Sequence, residues 1–238
     1  MAFYDHYATR PRNNLGLKAK LYQARRIFEL AFEGTAGILT SIVEIGPGDG
    51  YIASLSEKNN CKYLGIEASE AVVDKLTKQG HNIIHSSVPP LPSDIGAFDV
   101  CFILHVIEHM KDMDTATLLI RQIRGHLNQG GKLILACPDY IRWKHYFYDC
   151  DYTHCLPFTM RRLRQLLVNE GFDITYESIY TGPVFGYKGL PLYWFAKLFY
   201  PQLLDDLSSV YLKSDILNRG FLTLMPNLIV VAKKRNNF

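Results

Sequence analysis

The sequence predicts an α/β protein with a mostly parallel β-sheet and helices on both faces, and three observations lead to this fold class. Short apolar runs recur along the chain, and each ends at turn or cap residues. Stretches with the periodicity of amphipathic helices lie between these runs. The runs are apolar throughout instead of alternating with polar residues, which is typical of parallel strands buried on both faces.

The predicted elements follow one another in a regular order. The strands of the central part are predicted at 39–45, 62–67, 82–85, 98–104 and 132–137, and the helices between them at 51–58, 69–79 and 114–128. Ser69 is a typical N-cap, and Gly80 is typical of the position just past a helix end. The flanking parts are predicted as helices over 14–32 and 161–170, β-like runs over 173–180 and 221–233, and an aromatic helix over 190–207 broken at Pro201.

Length and composition favour one domain and exclude several kinds of protein. The 238 residues suffice for one sizeable core, and the net charge of +3 is too small to predict nucleic-acid binding. The five cysteines form no CxxC pair, so neither a zinc knuckle nor a thioredoxin-type site is indicated. The sequence shows no signal-peptide core and no run of membrane-spanning length, so we expect a cytoplasmic protein without an integral membrane segment.

A glycine-rich turn follows the first predicted strand. Residues 43–50 read VEIGPGDG, so the strand ends in a G-x-G-x-G turn that opens a helix. Such a turn lets a ligand approach the backbone closely, and the helix N-terminus attracts a carboxylate or a phosphate. Glu44, just before the turn, suits a cationic or amine-bearing ligand and would repel a pyrophosphate. Glu67, at the end of the second strand, is placed to accept hydrogen bonds from both hydroxyls of a ribose.

These segments resemble the first two motifs of class I S-adenosylmethionine-dependent methyltransferases. VEIGPGDG followed by GIEAS carries the resemblance, which extends over residues 39–180. It implies S-adenosylmethionine as the cofactor and a Rossmann-like sheet of seven strands, the last of them antiparallel. We expect a single domain over 1–238, with an N-terminal lid and helix over 1–38, a cofactor-binding core over 39–180 and an aromatic cover with the last strand over 181–238.

The resemblance also implies which residues contact the cofactor. The adenine is expected after the third strand, where the family often has an acidic residue and this chain has two serines. The residues expected at the cofactor are Glu44, Gly46, Pro47, Gly48, Gly50, Tyr51, Glu67, Ala68, Ser86, Ser87, Val88, Leu104 and His105.

The turn after the fourth strand is a candidate active site. Residues 105–109 read HVIEH and resemble the corresponding turn of small-molecule methyltransferases, including those of ubiquinone biosynthesis. H-x-x-E-H is also the motif of inverted zinc peptidases, but that motif requires a helix, and here it follows a strand. Some related quinone methyltransferases bind a divalent cation here through two acidic residues and a histidine. His105 replaces the first acid, so we expect no metal.

His109 has two interpretations. It is either the base that removes the proton of an acceptor hydroxyl, for which an imidazole is well matched near neutral pH, or a residue that only supports the turn or the methionine moiety.

The loop after the fifth strand is the second candidate. Asp151 and His154 precede a helix that Thr159 caps, in a pattern that resembles bacterial methyltransferases of sugars and other small metabolites. A pair of His154 and Asp151 could supply a base whose tautomer the carboxylate fixes. Alternatively, both side chains only tie down the loop. The aromatic residues of this loop suit a sugar ring or a planar acceptor, or ordinary packing.

Aromatic residues also mark both ends of the chain. Tyr4 and Tyr7 are expected, from the resemblance, in a lid over the cofactor. The segment 190–207 is interpreted as a cover of the substrate pocket, with a dimer face or a membrane-surface contact as alternatives. We expect a monomer or a homodimer whose contact with a membrane, if any, is peripheral.

The function predicted from the sequence is methyl transfer from S-adenosylmethionine to a hydroxyl, less favourably an amine, of a small molecule such as a sugar or a glycan precursor. The predicted catalytic residues are His109, His154 and Asp151. A nucleic-acid acceptor is not expected, because the fourth strand does not end in the N/D-P-P-Y/F motif. The alternative is a non-catalytic subunit that binds S-adenosylmethionine within a methyltransferase complex.

Overall fold

The computed structural model describes residues 14–33, 41–199 and 216–236. The strands are β1 Ser41–Ile45, β2 Lys62–Glu67, β3 Ile83–His85, β4 Phe98–Leu104, β5 Leu127–Pro138, β6 Phe172–Thr181, β7 Val184–Phe185 and β8 Pro226–Lys234. The α-helices are α1 Asn14–Phe32, α2 Tyr51–Lys58, α3 Glu70–Lys78, α4 Met113–His126, α5 Tyr140–Trp143, α6 Tyr146–Asp149, α7 Met160–Asn169, α8 Leu190–Phe199 and α9 Ile216–Thr223. Short 3₁₀ helices lie at Ile107–His109 and Tyr187–Gly189.

Within these residues, the strands form one sheet in the order β3-β2-β1-β4-β5-β8-β6-β7. The pairs from β3 to β5 are parallel, and β8 lies antiparallel between β5 and β6. The predicted Rossmann-like, mostly parallel sheet with an antiparallel last strand is confirmed. The sheet has eight strands instead of seven because the two residues of β7 pair with the end of β6.

The sheet separates two apolar layers, since successive side chains of a strand point to opposite faces. On β1, Val43 and Ile45 pack in the layer that contains the apolar side of α4 and α7. Ile42 packs in the other layer, against α1 and α2. Helices therefore cover the strands on both faces, which is why the strands are apolar throughout.

Two sequence predictions are wrong at the boundaries of elements. The run 221–233 is not a continuous strand: Ile216–Thr223 form α9, and β8 begins only at Pro226. A short apolar run fits a strand and a buried helix equally well, and here the buried Phe221 packs as part of a helix. The helix predicted to reach residue 128 ends at His126, because Leu127 already pairs with Phe98 of β4.

The register of the parallel strands determines where the site lies. Ile45 of β1 pairs with Ile66 of β2 and with Ile103 of β4, and Glu67 pairs with His85 of β3. The residues that follow these four strands therefore meet along one edge of the sheet. Ligands of open α/β sheets bind in the crevice at this edge.

None of the helices in the described part of the chain is long and apolar enough to cross a membrane.

Candidate functional site

The glycine turn after β1 has a backbone that only glycine adopts readily. Gly46 has φ +70°, and a Cβ atom there would lie 2.5 Å from Cγ2 of Val106. Its N–H donates to the carbonyl of Ile66 at 2.9 Å, which fixes the turn on β2. At Gly48, by contrast, a Cβ atom would meet nothing closer than 3.9 Å. The N-cap of α2 is Gly50, which has no side chain to bond the first amides of the helix. The turn is therefore open on one side and suited to an anionic group.

The residues after β2 and β3 adjoin this turn. The Oε1 atom of Glu67 accepts a hydrogen bond from the amide of Ser69 at 2.9 Å, which holds the carboxylate at the end of β2. The amide of Ser86 donates to the carbonyl of Glu67 at 2.9 Å. His85 Nε2 lies 3.0 Å from the carbonyl of Ala68. A carboxylate and a serine hydroxyl thus follow neighbouring strands.

Glu44 lies in the core rather than on the open side of the turn. Its side chain is 3% exposed, and its Oε2 atom accepts a hydrogen bond from the Tyr63 hydroxyl at 2.6 Å. Burial raises the pKa of Glu44 to about 8, against the lowering effect of the Tyr63 hydrogen bond. Near neutral pH the side chain is therefore mostly a neutral acid, whereas the sequence argument relied on a carboxylate.

His105 follows the last residue of β4 and has φ +57°, in the left-handed region that few residues other than glycine adopt. Its ring makes two contacts: Nε2 lies 2.7 Å from the hydroxyl of Tyr180, and Nδ1 lies 3.3 Å from Oε1 of Glu108. The three residues that follow Val106 form one 3₁₀ turn. The H-x-x-E-H segment is thus not an α-helix, which excludes the arrangement of an inverted zinc peptidase.

Glu108 is the buried charge of this turn. It is 1% exposed, and neither carboxylate oxygen has a well-aligned hydrogen bond. Burial raises the pKa of Glu108, but the contact with His105 and the charges of His105 and His109 outweigh burial and leave the pKa below its usual value. The carbonyl of Glu108 accepts hydrogen bonds from the amides of Cys155 and Leu156, both at 2.9 Å, and this fixes the loop after β5 against the turn.

His109 is oriented by that loop. Its Nδ1 atom lies 2.9 Å from Oγ1 of Thr153 and 3.3 Å from the carbonyl of the same residue. The Thr153 hydroxyl donates to Oδ1 of Asp151 at 2.6 Å, so its oxygen accepts from His109. Both neighbours of Nδ1 are then acceptors, which assigns the proton of the neutral ring to Nδ1 and the lone pair to Nε2.

His154 is fixed in the same tautomer by a different partner. Its Nδ1 atom lies 2.6 Å from the carbonyl of Phe147, which can only accept. Its ring stacks on Phe147 at 4.6 Å, and the centroid of the His109 ring is 4.9 Å away. Burial lowers the pKa of His154, which favours the neutral ring. Ligand-type atoms of Glu108, His109 and His154 all lie within 4.8 Å of one another, so these are the described residues that could hold a metal ion.

The predicted side-chain pair of Asp151 and His154 is not formed. The Asp151 carboxylate accepts from the amide and the hydroxyl of Thr153, while the amide of His154 donates to the carbonyl of Asp151 at 3.1 Å. The reason is local: an Asp two residues before a Thr closes an Asx turn, which consumes the carboxylate. Hydrogen bonds therefore connect Asp151 to His109 through the Thr153 hydroxyl. Sequence reasoning missed Thr153, whose signal was this D-x-T spacing, and Tyr180, for which no local signal exists.

The aromatic residues near the loop after β5 mostly pack. Trp143 donates its indole N–H to the carbonyl of Pro226 at 2.7 Å, and it clusters with Phe147, Tyr193 and Phe221. Tyr148 is about half exposed and borders the loop. Tyr4 and Tyr7, the predicted lid residues, lie outside the described residues.

Comparisons with known proteins agree with this architecture. A family model described as a methyltransferase domain matches residues 9–177, which is more than half of the chain. Among curated proteins, none matches the sequence.

Solved structures resemble the chain over most of its length. A chain of the complex between the Haloferax volcanii Trm112 methyltransferase activator and a proposed methyltransferase has a TM-score of 0.69 at 14% identity, with 99% of each chain covered. A SAM-dependent methyltransferase from Archaeoglobus fulgidus has a TM-score of 0.59 at 18% identity, covering 91% of this chain and 94% of that chain. The plantazolicin methyltransferase BpumL in complex with SAH has a TM-score of 0.56 at 17% identity, covering 98% of this chain and 88% of that chain. At these identities the likeness shows a shared fold.

Proposed function

The chain belongs to the methyltransferase-domain family, and from this premise we propose that it transfers a methyl group from S-adenosylmethionine to a hydroxyl of a small molecule, such as a sugar or a glycan precursor, and less favourably to an amine. One observation carries the proposal. The open glycine turn after β1 and the imidazoles of His109 and His154, in fixed tautomers, lie at the same edge of the sheet. We treat 1–238 as one domain, which the insertion of β8 between β5 and β6 supports.

The residues along this edge fit the parts of the cofactor. The glycine turn and the N-terminus of α2 suit the carboxylate of the methionine part. Glu67 suits the ribose hydroxyls, and Ser86 with Ser87 suits the adenine. Two of the structural neighbours are described as SAM-dependent or as complexed with SAH, which supports the same cofactor. The proposed set is Gly46, Pro47, Gly48, Gly50, Tyr51, Glu67, Ala68, Ser86, Ser87, Val88, Leu104 and His105, whereas Glu44, buried against Tyr63, is proposed to support the turn from the core and not to contact the cofactor.

In this proposal His109 is the base that accepts the proton of the acceptor hydroxyl. When bound, the cofactor would supply an electrophilic methyl group on a sulfonium sulfur, with the neutral thioether as the leaving group once the sulfur–methyl bond breaks. The acceptor oxygen would lose its proton as it bonds to that methyl group. With Nδ1 held by Thr153, His109 accepts this proton at Nε2. The positive charge that results is stabilised by Asp151 through the Thr153 hydroxyl and by the buried carboxylate of Glu108. The proton then passes to solvent.

His154 is the second polar group of the acceptor site in this proposal. Its neutral ring keeps a lone pair on Nε2, which accepts a hydrogen bond from the acceptor and orients the reacting hydroxyl. Stacking on Phe147 fixes the plane of the ring. The ring nitrogens of His109 and His154 therefore suit an acceptor that carries hydroxyl groups.

An acceptor screen with methyl-labelled S-adenosylmethionine tests the function. The panel contains nucleotide sugars, free sugars, phenols and amines, and mass spectrometry identifies the methylated product. We expect turnover of a hydroxyl acceptor, lost in His109→Ala and His154→Ala, while both variants still bind S-adenosylhomocysteine. Full turnover in both variants would contradict the roles proposed for the two histidines. Cofactor binding without turnover of any acceptor would favour the non-catalytic subunit instead.

A further inference from the structure

Helix α8 and the 3₁₀ turn before it carry an apolar surface. The α8 surface consists of side chains that are between 41% and 76% exposed, namely Tyr187, Leu192, Trp194, Phe195 and Leu198. Leu198 lies three and four residues after Phe195 and Trp194, so these three side chains share one side of the helix. Surface helices normally direct such residues to the core, and an exposed apolar patch marks a contact site.

The opposite side of α8 packs against the rest of the protein. The helix therefore already buries one apolar face, and the exposed apolar face is a second one. Tyr193 is buried in a cluster with Trp143 and Phe147. Its hydroxyl donates to the carbonyl of Arg142 at 3.1 Å. The inner face is thus fixed by packing and by a hydrogen bond, and the outer face is apolar as well.

Within residues 178–199, which the structure describes, the charged side chains are two lysines. Lys188 and Lys197 are exposed, and Nζ of Lys197 lies 5.7 Å from the ring centroid of Trp194. The sequence has no acidic residue between Glu177 and Asp205. The surface therefore complements a negatively charged partner.

The polar atoms of the surface are compatible with a lipid interface. The exposed side chains of the α8 surface offer only a tyrosine hydroxyl, an indole N–H and the two lysine ammonium groups. Tryptophan, tyrosine and lysine are the residues whose apolar bodies and polar tips suit the boundary between lipid headgroups and acyl chains.

We propose that the α8 surface docks onto an anionic lipid bilayer. In this arrangement the helix lies in the plane of the interface, Trp194 and Leu198 enter the headgroup region, and Lys188 and Lys197 contact lipid phosphates. The inference goes beyond methyl transfer and does not depend on it, so it is tested without an activity assay.

The test uses the full chain and its tryptophan fluorescence. Only two tryptophans are present, and Trp143 is buried while Trp194 is exposed. Vesicles of phosphatidylcholine mixed with phosphatidylglycerol are compared with vesicles of phosphatidylcholine alone. We expect the emission to shift to shorter wavelength with the mixed vesicles, a shift that Trp194→Phe abolishes. Co-sedimentation with the mixed vesicles should fall about tenfold in Leu198→Glu, as expected for losing one buried leucine.

A matched control is Leu118→Glu, which makes the same change at an exposed leucine of α4 and should leave co-sedimentation unchanged. Lack of binding to either kind of vesicle overturns the proposal. Equal binding with and without phosphatidylglycerol also overturns it, because the lysines would then have no role. A blue shift that appears without vesicles as the protein concentration rises would overturn it in favour of a second copy of the chain.

Discussion

The Nδ1 atom of His109 lies 2.9 Å from the hydroxyl oxygen of Thr153, although 44 residues separate the two in the sequence. The contact joins the turn after β4 to the loop after β5. Because the Thr153 hydroxyl donates to Asp151 at 2.6 Å, hydrogen bonds run in one direction from the imidazole to the carboxylate. The tautomer of His109 thus depends on Thr153, a residue of the loop after β5.

Replacing Thr153 should therefore reduce turnover without removing the base. Thr153→Val deletes the hydroxyl but keeps the shape, and we expect kcat to fall roughly tenfold to a hundredfold, less than the 10²–10⁴-fold worth of a general base. Thr153→Ser keeps the hydroxyl and should stay close to the original rate. Nitrogen-15 NMR of the imidazoles distinguishes a changed His109 tautomer from a general loss of structure. The Nδ1-protonated tautomer of neutral His109 should be less populated in Thr153→Val, where the Thr153 carbonyl at 3.3 Å remains as an acceptor, than in the original chain and in the serine variant. An unchanged tautomer population in Thr153→Val would refute the role of the Thr153 hydroxyl.

The pH dependence of turnover should show the burial of His154. Burial lowers the pKa of this imidazole from its usual value of 6.5. A hydrogen-bond acceptor must be unprotonated, so the loss of activity that protonation of His154 causes should occur below pH 6.5, at the lowered pKa. Profiles of kcat/KM against pH for the original chain and for His154→Gln measure this limb. Identical acid limbs in the two proteins would show that His154 does not titrate in the reaction.

The buried Glu44 should make stability depend on pH. Its folded pKa of about 8 exceeds the usual 4.5, so the folded chain holds a proton that the unfolded chain releases in this window. The unfolding free energy therefore decreases as the pH rises from 4.5 to about 8, and this contribution is absent in Glu44→Gln. In thermal unfolding across this range, the melting temperature of the glutamine variant should rise relative to that of the original chain as the pH rises. Parallel curves would mean that the carboxyl is not buried as described.

The glycine turn should not tolerate a side chain at Gly46. A Cβ atom would lie 2.5 Å from Val106, and φ of +70° costs a non-glycine residue about 1–2 kcal/mol by itself. Gly46→Ala should lower the unfolding free energy by at least this amount and weaken cofactor binding. The control is Gly125→Ala in α4, where nothing lies within 4 Å and the change should be neutral or stabilising. Chemical denaturation of both variants makes the comparison, and equal stabilities would contradict the strained turn.

The sequence predicts the parts of this structure that local patterns determine. The apolar runs reveal the parallel strands, and the G-x-G-x-G spacing locates the turn after β1, because periodicity and glycine content are local properties. The Asx turn of Asp151 with Thr153 has a local signal, the D-x-T spacing, which the sequence reasoning missed. The contact of Thr153 with His109 has no local signal, because 44 residues separate the two. Tyr180 was missed because it lies 75 residues from His105, and only the assembled sheet brings them together. The prediction of a strand over 221–233 is wrong where α9 lies, because apolar content alone does not distinguish a short helix from a strand.

Titration calorimetry with S-adenosylmethionine, S-adenosylhomocysteine and NAD⁺ tests the central claim most directly. We expect the first two ligands to bind with dissociation constants of about micromolar order and NAD⁺ not to bind. Glu67→Ala should weaken both by about tenfold, since it removes the proposed acceptor of the ribose hydroxyls. Binding of NAD⁺, or no binding of either S-adenosyl compound, would contradict the assignment of this edge of the sheet to S-adenosylmethionine.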